Sequence, residues 1–277
     1  MKETMTRRHG DAGMRRKEKS SHANSSFHRR VPVSPRSRAP SSDLRVLLWD
    51  IDGTLVRSAR VGAFKDYTVP MLEGVFGTAG RLPEMIVSGM TDLQIVIEAL
   101  RDEGFTREQI RERIDDLRTR YMQELERVIQ KDSAFFYLLP GAREVLEATA
   151  QHPRYRNALL TGNIEPAAHL KMRLVGLSDF FNLPGAFGDE SHDRSDLPAL
   201  AAARINAHLN LDLHPSQFIV IGDTPNDIAC ARHFGAKAVA VATGRKNSAD
   251  SLLPYKPDAL LPDLSDVELV MRTFAGL

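Results

Sequence analysis

One cysteine, Cys230, stands in 277 residues. That excludes a disulfide framework, and the thiol, within Ile228-Ala229-Cys230-Ala231, reads as a small buried helix residue. No apolar stretch is long enough for a signal peptide or a membrane span, so a cytoplasmic location is the expectation. There is no internal repeat. The one tryptophan, Trp49, sits inside an apolar run and reads as sheet filler rather than a stacking platform. His192 has no second histidine at ligand spacing and reads as surface. Net charge is also nearly absent, at +1, but this balance hides an asymmetry. Residues 1–42 carry arginines from Arg7 to Arg38 among Ser, Pro and His, with few acids and no apolar periodicity. Such a segment cannot bury enough surface to offset its ordering entropy, so 1–43 reads as a disordered, solvated tail. Its arginine clusters also suit contact with nucleic acid or another anionic partner.

What the chain does have begins at Leu44. Val46-Leu47-Leu48-Trp49 is a continuous apolar run of the kind a strand buried on both faces requires. Asp50-Ile51-Asp52-Gly53-Thr54 follows it, placing two carboxylates, a glycine and a hydroxyl where open α/β sheets hold their ligands. Asp50 can attack phosphorus, Asp52 can manage the leaving-group proton, and both can help to hold a hard cation. Helical character then extends to about residue 139. A helix is expected over Ala63–Phe76, interrupted or kinked at Pro70. Thr91-Asp92-Leu93-Gln94 has the capping-box pattern, and Thr106-Arg107-Glu108-Gln109 repeats it before one charged helix reaching roughly Gln130. From Leu139-Pro140-Gly141 onward strands and helices alternate, which argues for an α/β fold with a doubly wound parallel sheet. The boundaries are 44–57 and 140–277 for the core and 58–139 for the helical insert.

Two further strand ends carry chemistry. Asn157-Ala158-Leu159-Leu160 runs into Thr161-Gly162-Asn163, and Phe218-Ile219-Val220-Ile221-Gly222 runs into Asp223 and, four residues on, Asp227. Together with 50–54 these segments resemble motifs one, two and four of the haloacid dehalogenase-like hydrolase superfamily, in its phosphoglycolate phosphatase and β-phosphoglucomutase branch. The resemblance implies a flavodoxin-like core with a helical cap inserted between the first two motifs. It implies Mg²⁺ held by the Asp50 and Asp223 carboxylates and the Asp52 main-chain carbonyl, with Asp227 one shell out. By the same resemblance Asp50 is the nucleophile that forms an aspartyl-phosphate and Asp52 the general acid and base. Thr161, Gly162 and Asn163 hold the phosphoryl group, and Gly53 and Thr54 belong to the same loop.

The third motif departs from the family pattern, which has a lysine before the helix leading to motif four. The stretch here is Gly188-Asp189-Glu190-Ser191-His192-Asp193-Arg194. Arg194 is the best positional match, and Lys171 on an earlier helix is the alternative. The expectation is therefore a Mg²⁺-dependent phosphatase of a small phosphorylated metabolite. A sugar-phosphate mutase of the β-phosphoglucomutase type, and a non-catalytic binding protein using its basic tail, are the alternatives. Asp52 argues against the family's dehalogenases and phosphonate-cleaving members, which have no alkoxide to protonate.

Overall fold

The computed structural model describes residues 42–277; the tail expected at 1–43 lies outside them except for its last two residues. β1 (Arg45–Trp49) and β2 (Val56–Ser58) come first, then four helices: α1 (Lys65–Phe76), α2 (Asp92–Ala99), α3 (Arg107–Glu112) and α4 (Ile114–Lys131). After β3 (Phe136–Leu138) the elements alternate: α5 (Ala142–Gln151), β4 (Tyr155–Leu159), α6 (Glu165–Leu174), α7 (Leu197–Leu209), β5 (Phe218–Gly222) and α8 (Pro225–Phe234). The chain ends with β6 (Lys237–Val241), the one-turn α9 (Ala249–Leu252), β7 (Ala259–Leu261) and α10 (Val267–Ala275).

β4, β1, β5, β6 and β7 form one sheet in that order, with every pairing parallel. Numbered among themselves along the chain, the strands run 2-1-3-4-5, the flavodoxin-like order. Alternate residues of each strand feed opposite faces. Leu47, Trp49, Ile219 and Ile221 belong to one apolar core, and Val46, Leu48, Phe218 and Val220 to the other. This double coverage is why the strands are apolar without alternation. Trp49 is filler with one polar requirement: its indole N–H donates to Asn157 Oδ1 at 2.9 Å, and its ring meets Phe274 edge-on.

Three details of the helical insert differ from the sequence reading. Helix α1 continues through Pro70 without interruption. Pro70 has no N–H to offer the Asp66 carbonyl, and Arg127 of α4 donates to that oxygen instead at 3.1 Å. The single charged helix expected after Thr106 is two, divided at Arg113, where a tight bond from Arg113 N to Ile110 O replaces the α-helical spacing. The Arg113 guanidinium lies over the Phe76 ring. The insert is also tied at its base by an antiparallel ribbon of β2 and β3. Neither strand is among the elements expected from the sequence, each being only three residues long. In the core, the short segment at 184–187 contributes only one bridge, Leu160 to Ala186.

Candidate active site

The sheet register itself assembles the site. β1 and β5 are neighbours, and Asp50 N continues the ladder by donating to Ile221 O at 2.9 Å. Asp50 and Asp223 therefore leave the same end of the sheet at its switch point, where ligands of open α/β folds collect. Carboxylate oxygens of Asp50, Asp223 and Asp227 all lie within 4.8 Å of one another, and all three residues are buried. Thr54 donates to Asp223 Oδ1 at 3.4 Å. Gly53 sits at φ +97° beneath that carboxylate, and a Cβ there would come 2.4 Å from Asp223 Oδ2. No side chain fits. Asp227 opens α8, where Thr224 gives its Oδ2 a backbone N–H at 2.9 Å and a hydroxyl at 2.6 Å.

Arg194 is the cation of this cluster. Its Nη2 lies 3.0 Å from Asp50 Oδ1 and also donates to Asp227 Oδ1, while its Nη1 donates to the Gly89 carbonyl at 3.2 Å. Its Nε is buried without a hydrogen-bond partner. Burial opposes the arginine's charge, but Asp227 and Asp50 outweigh it and raise its pKa. Burial pushes Asp50 up to about 7 against the pull of Arg194, and it lifts Asp223 well above the carboxylate range, with Asp50 and Asp227 adding repulsion. When all three carboxylates are ionised, one guanidinium leaves two negative charges in excess. A buried oxygen-only donor set short of two positive charges fits a hard divalent cation.

Asp52 is not part of this cluster. Its Oδ2 receives Lys171 Nζ at 2.6 Å and Asn163 Nδ2 at 2.7 Å, and its side chain is 44 % exposed. A buried ammonium thus holds the Asp52 carboxylate away from the other three acids, in keeping with the expectation that Asp52 offers a metal only its main-chain carbonyl. Lys171, on α6, also donates to Asn163 Oδ1 at 2.5 Å. Burial works against its charge, but the neighbouring Asp52 raises its pKa. The choice between Arg194 and Lys171 dissolves here, because both reach the site and each takes a different carboxylate. Thr161 is buried, and its hydroxyl accepts from Asn163 N at 3.3 Å and Nδ2 at 2.8 Å. It does not cap α6, which begins after Ile164 without a side-chain cap of its own residues.

A model of the haloacid dehalogenase-like hydrolase family matches residues 47–232, well over half of the chain, and a second HAD-hydrolase-like model matches 198–267. The chain belongs to the haloacid dehalogenase-like hydrolase family. Within that family it is 25 % identical over 226 residues to a phosphoglycolate phosphatase of Pectobacterium atrosepticum, covering 81 % of this chain and 91 % of that one. It is 27 % identical over 113 residues to the pyrophosphatase PpaX of Bacillus velezensis, covering 41 % of this chain. The chain spans about half the length of the PpaX relatives it matches. Among solved structures, a β-phosphoglucomutase from Clostridium difficile superposes with a TM-score of 0.59 at 15 % identity, over 84 % of this chain and 98 % of that one. A predicted phosphoglycolate phosphatase from Haemophilus somnus gives 0.55 at 20 %, over 83 % and 98 %. At these identities the likeness is one of fold.

Sequence reasoning passed over the residues that join the helical insert to this HAD core. Asp92 accepts from Ile164 N at 2.8 Å, and its own N–H donates to Gly162 O at 2.6 Å. Burial pushes it up to about 7 despite that backbone hydrogen bond and the nearby Lys171. Asp189 accepts from Glu165 N at 3.1 Å and from Arg118 Nε of α4 at 2.6 Å. The only signal in the sequence was the capping pattern at Thr91, which explains α2: Thr91 Oγ1 accepts from Gln94 N. It leaves Asp92 free to face elsewhere.

Proposed function

We propose that this chain is a metal-dependent phosphatase that moves a phosphoryl group from a small phosphorylated metabolite to Asp50 and then to water. One observation carries the reading: two carboxylates two residues apart occupy opposite settings. Asp50 lies in the buried acidic cluster under Arg194, and Asp52 stands outside it on Lys171 and Asn163. A nucleophile and a proton carrier need that division of environments.

In this mechanism Arg194 holds Asp50 Oδ1 and orients the carboxylate for in-line attack. The Arg194 guanidinium, held beside Asp50, is the positive charge that faces one phosphoryl oxygen. The Thr161 hydroxyl accepts from Asn163 and so keeps its proton to give to a second oxygen, beside the main-chain amides of Gly162 and Asn163. Asp52 gives its proton to the departing alkoxide, and an aspartyl-phosphate remains on Asp50. Asp52 then takes a proton from the water that hydrolyses it. Asp50, Asp223 and the Asp52 main-chain carbonyl would hold Mg²⁺, with Asp227 fixing Arg194 behind them. When bound, the cation neutralises phosphoryl oxygens and supports the carboxylate forms of its ligands. The exposure of the Asp52 side chain favours water as acceptor, and hence hydrolysis over transfer to a sugar hydroxyl.

We further assign 44–57 and 140–277 to the catalytic core and 58–139 to a cap over it, and place the protein in the cytoplasm on its lone buried cysteine. The test is phosphate release from a panel of phosphometabolites with Mg²⁺, with EDTA and Asp50→Asn as blanks. Turnover should require both the metal and Asp50. An Asp50→Asn enzyme as fast as wild type would refute the reading.

A further inference from the structure

Helix α6 is the support on which Asp52 is held, yet it does not cap itself. Its first N–H groups belong to Ile164 and Glu165, and no side chain of the helix's own turn reaches them. An uncapped helix start leaves buried donors without partners, at a cost that positions such a helix poorly. Here both donors are taken from outside. Asp92, at the start of α2, accepts from Ile164 N at 2.8 Å, and Asp189, from the motif-three loop, accepts from Glu165 N at 3.1 Å. Asp92 is locked in turn by two backbone bonds, Asp92 N to Gly162 O at 2.6 Å and Leu93 N to Gly188 O at 3.0 Å. The approach is so tight that a Cβ on Gly162 would lie 2.2 Å from Met90 O, and one on Gly188 1.7 Å from Gly162 O.

What hangs from this junction is the proton carrier. Asn163, one residue before Ile164, and Lys171, two turns into α6, are the two groups that hold Asp52 Oδ2. They also hold each other. A line of contacts therefore runs from Asp92 on the insert, through the N-terminus of α6, to Asn163 and Lys171 and so to Asp52. Asp50 does not lie on it. Its partners are Arg194 and the β5 ladder.

We propose that Asp92 is a positioning residue for proton transfer at Asp52, acting by capping α6 in trans. The proposal rests on the phosphatase reading above and deepens it. Loss of Asp92 should impair the protonation of the leaving group far more than the nucleophilic attack. The two are separable by leaving group. An alkyl phosphate needs its departing oxygen protonated, whereas p-nitrophenyl phosphate releases a stable phenolate and needs little help.

The experiment compares kcat/KM for a turned-over alkyl phosphate and for p-nitrophenyl phosphate in wild type, Asp92→Ala, Asp92→Asn and Asp52→Asn. Asp92→Ala should lose about 10-fold or more on the alkyl ester and less than about threefold on the aryl ester, a fraction of the roughly 10²–10⁴ that a positioned acid supplies. Asp92→Asn keeps an acceptor for Ile164 N and should recover most of the loss. Adding Asp92→Ala to Asp52→Asn should cost almost nothing more, since the acid is already gone. An equal loss on both esters, no loss on either, or full additivity with Asp52→Asn would overturn the proposal. If Asp92→Ala does not fold, Asp92→Gln carries the acceptor one methylene out of place and is judged by the same ratio. Failure of the underlying reading looks different: wild type would release no phosphate from either ester, or Asp50→Asn would match it.

Discussion

Among the described residues, Arg194 is the one cation inside a cluster of three buried acids, so its removal should act on stability as well as on turnover. Consider Arg194→Met, which keeps the length and loses the charge. Arg194, Asp50, Asp223 and Asp227 are 6 %, 4 %, 3 % and 2 % exposed, so water screens none of them. Breaking a buried pair by removing one partner costs ~3–5 kcal/mol. Protonation limits that cost, because Asp50 already stands at about 7 with the arginine present and rises further without it. A loss of about 3 kcal/mol at pH 8 is the expectation, or roughly 6–12 °C in melting temperature for a chain of this size. The pH dependence has a definite sign. A carboxyl whose folded pKa lies above its usual 3.8 contributes stability that is complete below about pH 4 and is lost as pH climbs through 7. The difference between variant and wild type should therefore be small at pH 5 and widest at pH 8. Mg²⁺ should narrow it, since a dication can replace the positive charge that the variant's acidic cluster has lost. The assay is thermal unfolding followed by circular dichroism in EDTA at both pH values, then in Mg²⁺. Equal melting temperatures in EDTA at pH 8, or a difference indifferent to pH and metal, would refute this account of the cluster.

Other substitutions probe the site and its supports. Gly53→Ala puts a Cβ 2.4 Å from Asp223 Oδ2 at a backbone φ of +97°, so it should abolish Mg²⁺ binding in calorimetry while costing about 1–2 kcal/mol in the turn itself. Wild-type metal affinity would show that the loop has room to spare. Arg127→Ala should destabilise by about 1 kcal/mol, and by less on a Pro70→Ala background, where a restored N–H reclaims the Asp66 carbonyl. Strict additivity in urea denaturation would count against that account of how α1 tolerates its proline. Asn157→Leu removes the acceptor of the buried Trp49 indole and a partner of Thr149, with an expected loss of about 1–3 kcal/mol and a changed near-ultraviolet spectrum. An unchanged denaturation midpoint would mean that the indole finds another acceptor.

The sheet and its acids were legible because each strand states its environment in its own residues. Val46–Trp49 and Phe218–Gly222 are apolar on both sides, and the carboxylates stand directly after them. The β2–β3 ribbon was not legible. Each strand is three residues long, too short for any period to register, and the two pair across a separation of about eighty residues. Pro70 misled for a related reason: the guanidinium that satisfies Asp66 comes from α4, and nothing near Pro70 announces it. The rival claims of Arg194 and Lys171 were framed as a choice because position along the chain gives no distance. The fold brings one to Asp50 and the other to Asp52. Asp92 was read as part of a helix start, which it is, but its carboxylate serves a second helix 72 residues away.

That two acids separated by one residue come to face different cations follows from a single turn. Asp50 is still in the β1–β5 ladder, and the residue after it, Ile51, is wholly buried. The Ile51 carbonyl accepts from Thr54, Leu55 and Val56 at 3.3, 3.0 and 2.9 Å, which ends the strand and throws the chain into a tight loop. Asp52 rides that loop outward and meets α6 rather than the sheet. Asp50 is therefore positioned by the sheet and by Arg194, which itself donates to Gly89 O of the insert. Asp52 is positioned by Asn163 and Lys171, whose helix depends on Asp92 of the insert for its first hydrogen bond. Displacement of the insert from the core would break the support of Asp52 while leaving Asp50 in its ladder. On the proposed phosphatase reading, such a molecule would retain a poised carboxylate without a placed acid, so the seating of residues 88–92 would bear on protonation of the leaving group before it bears on attack.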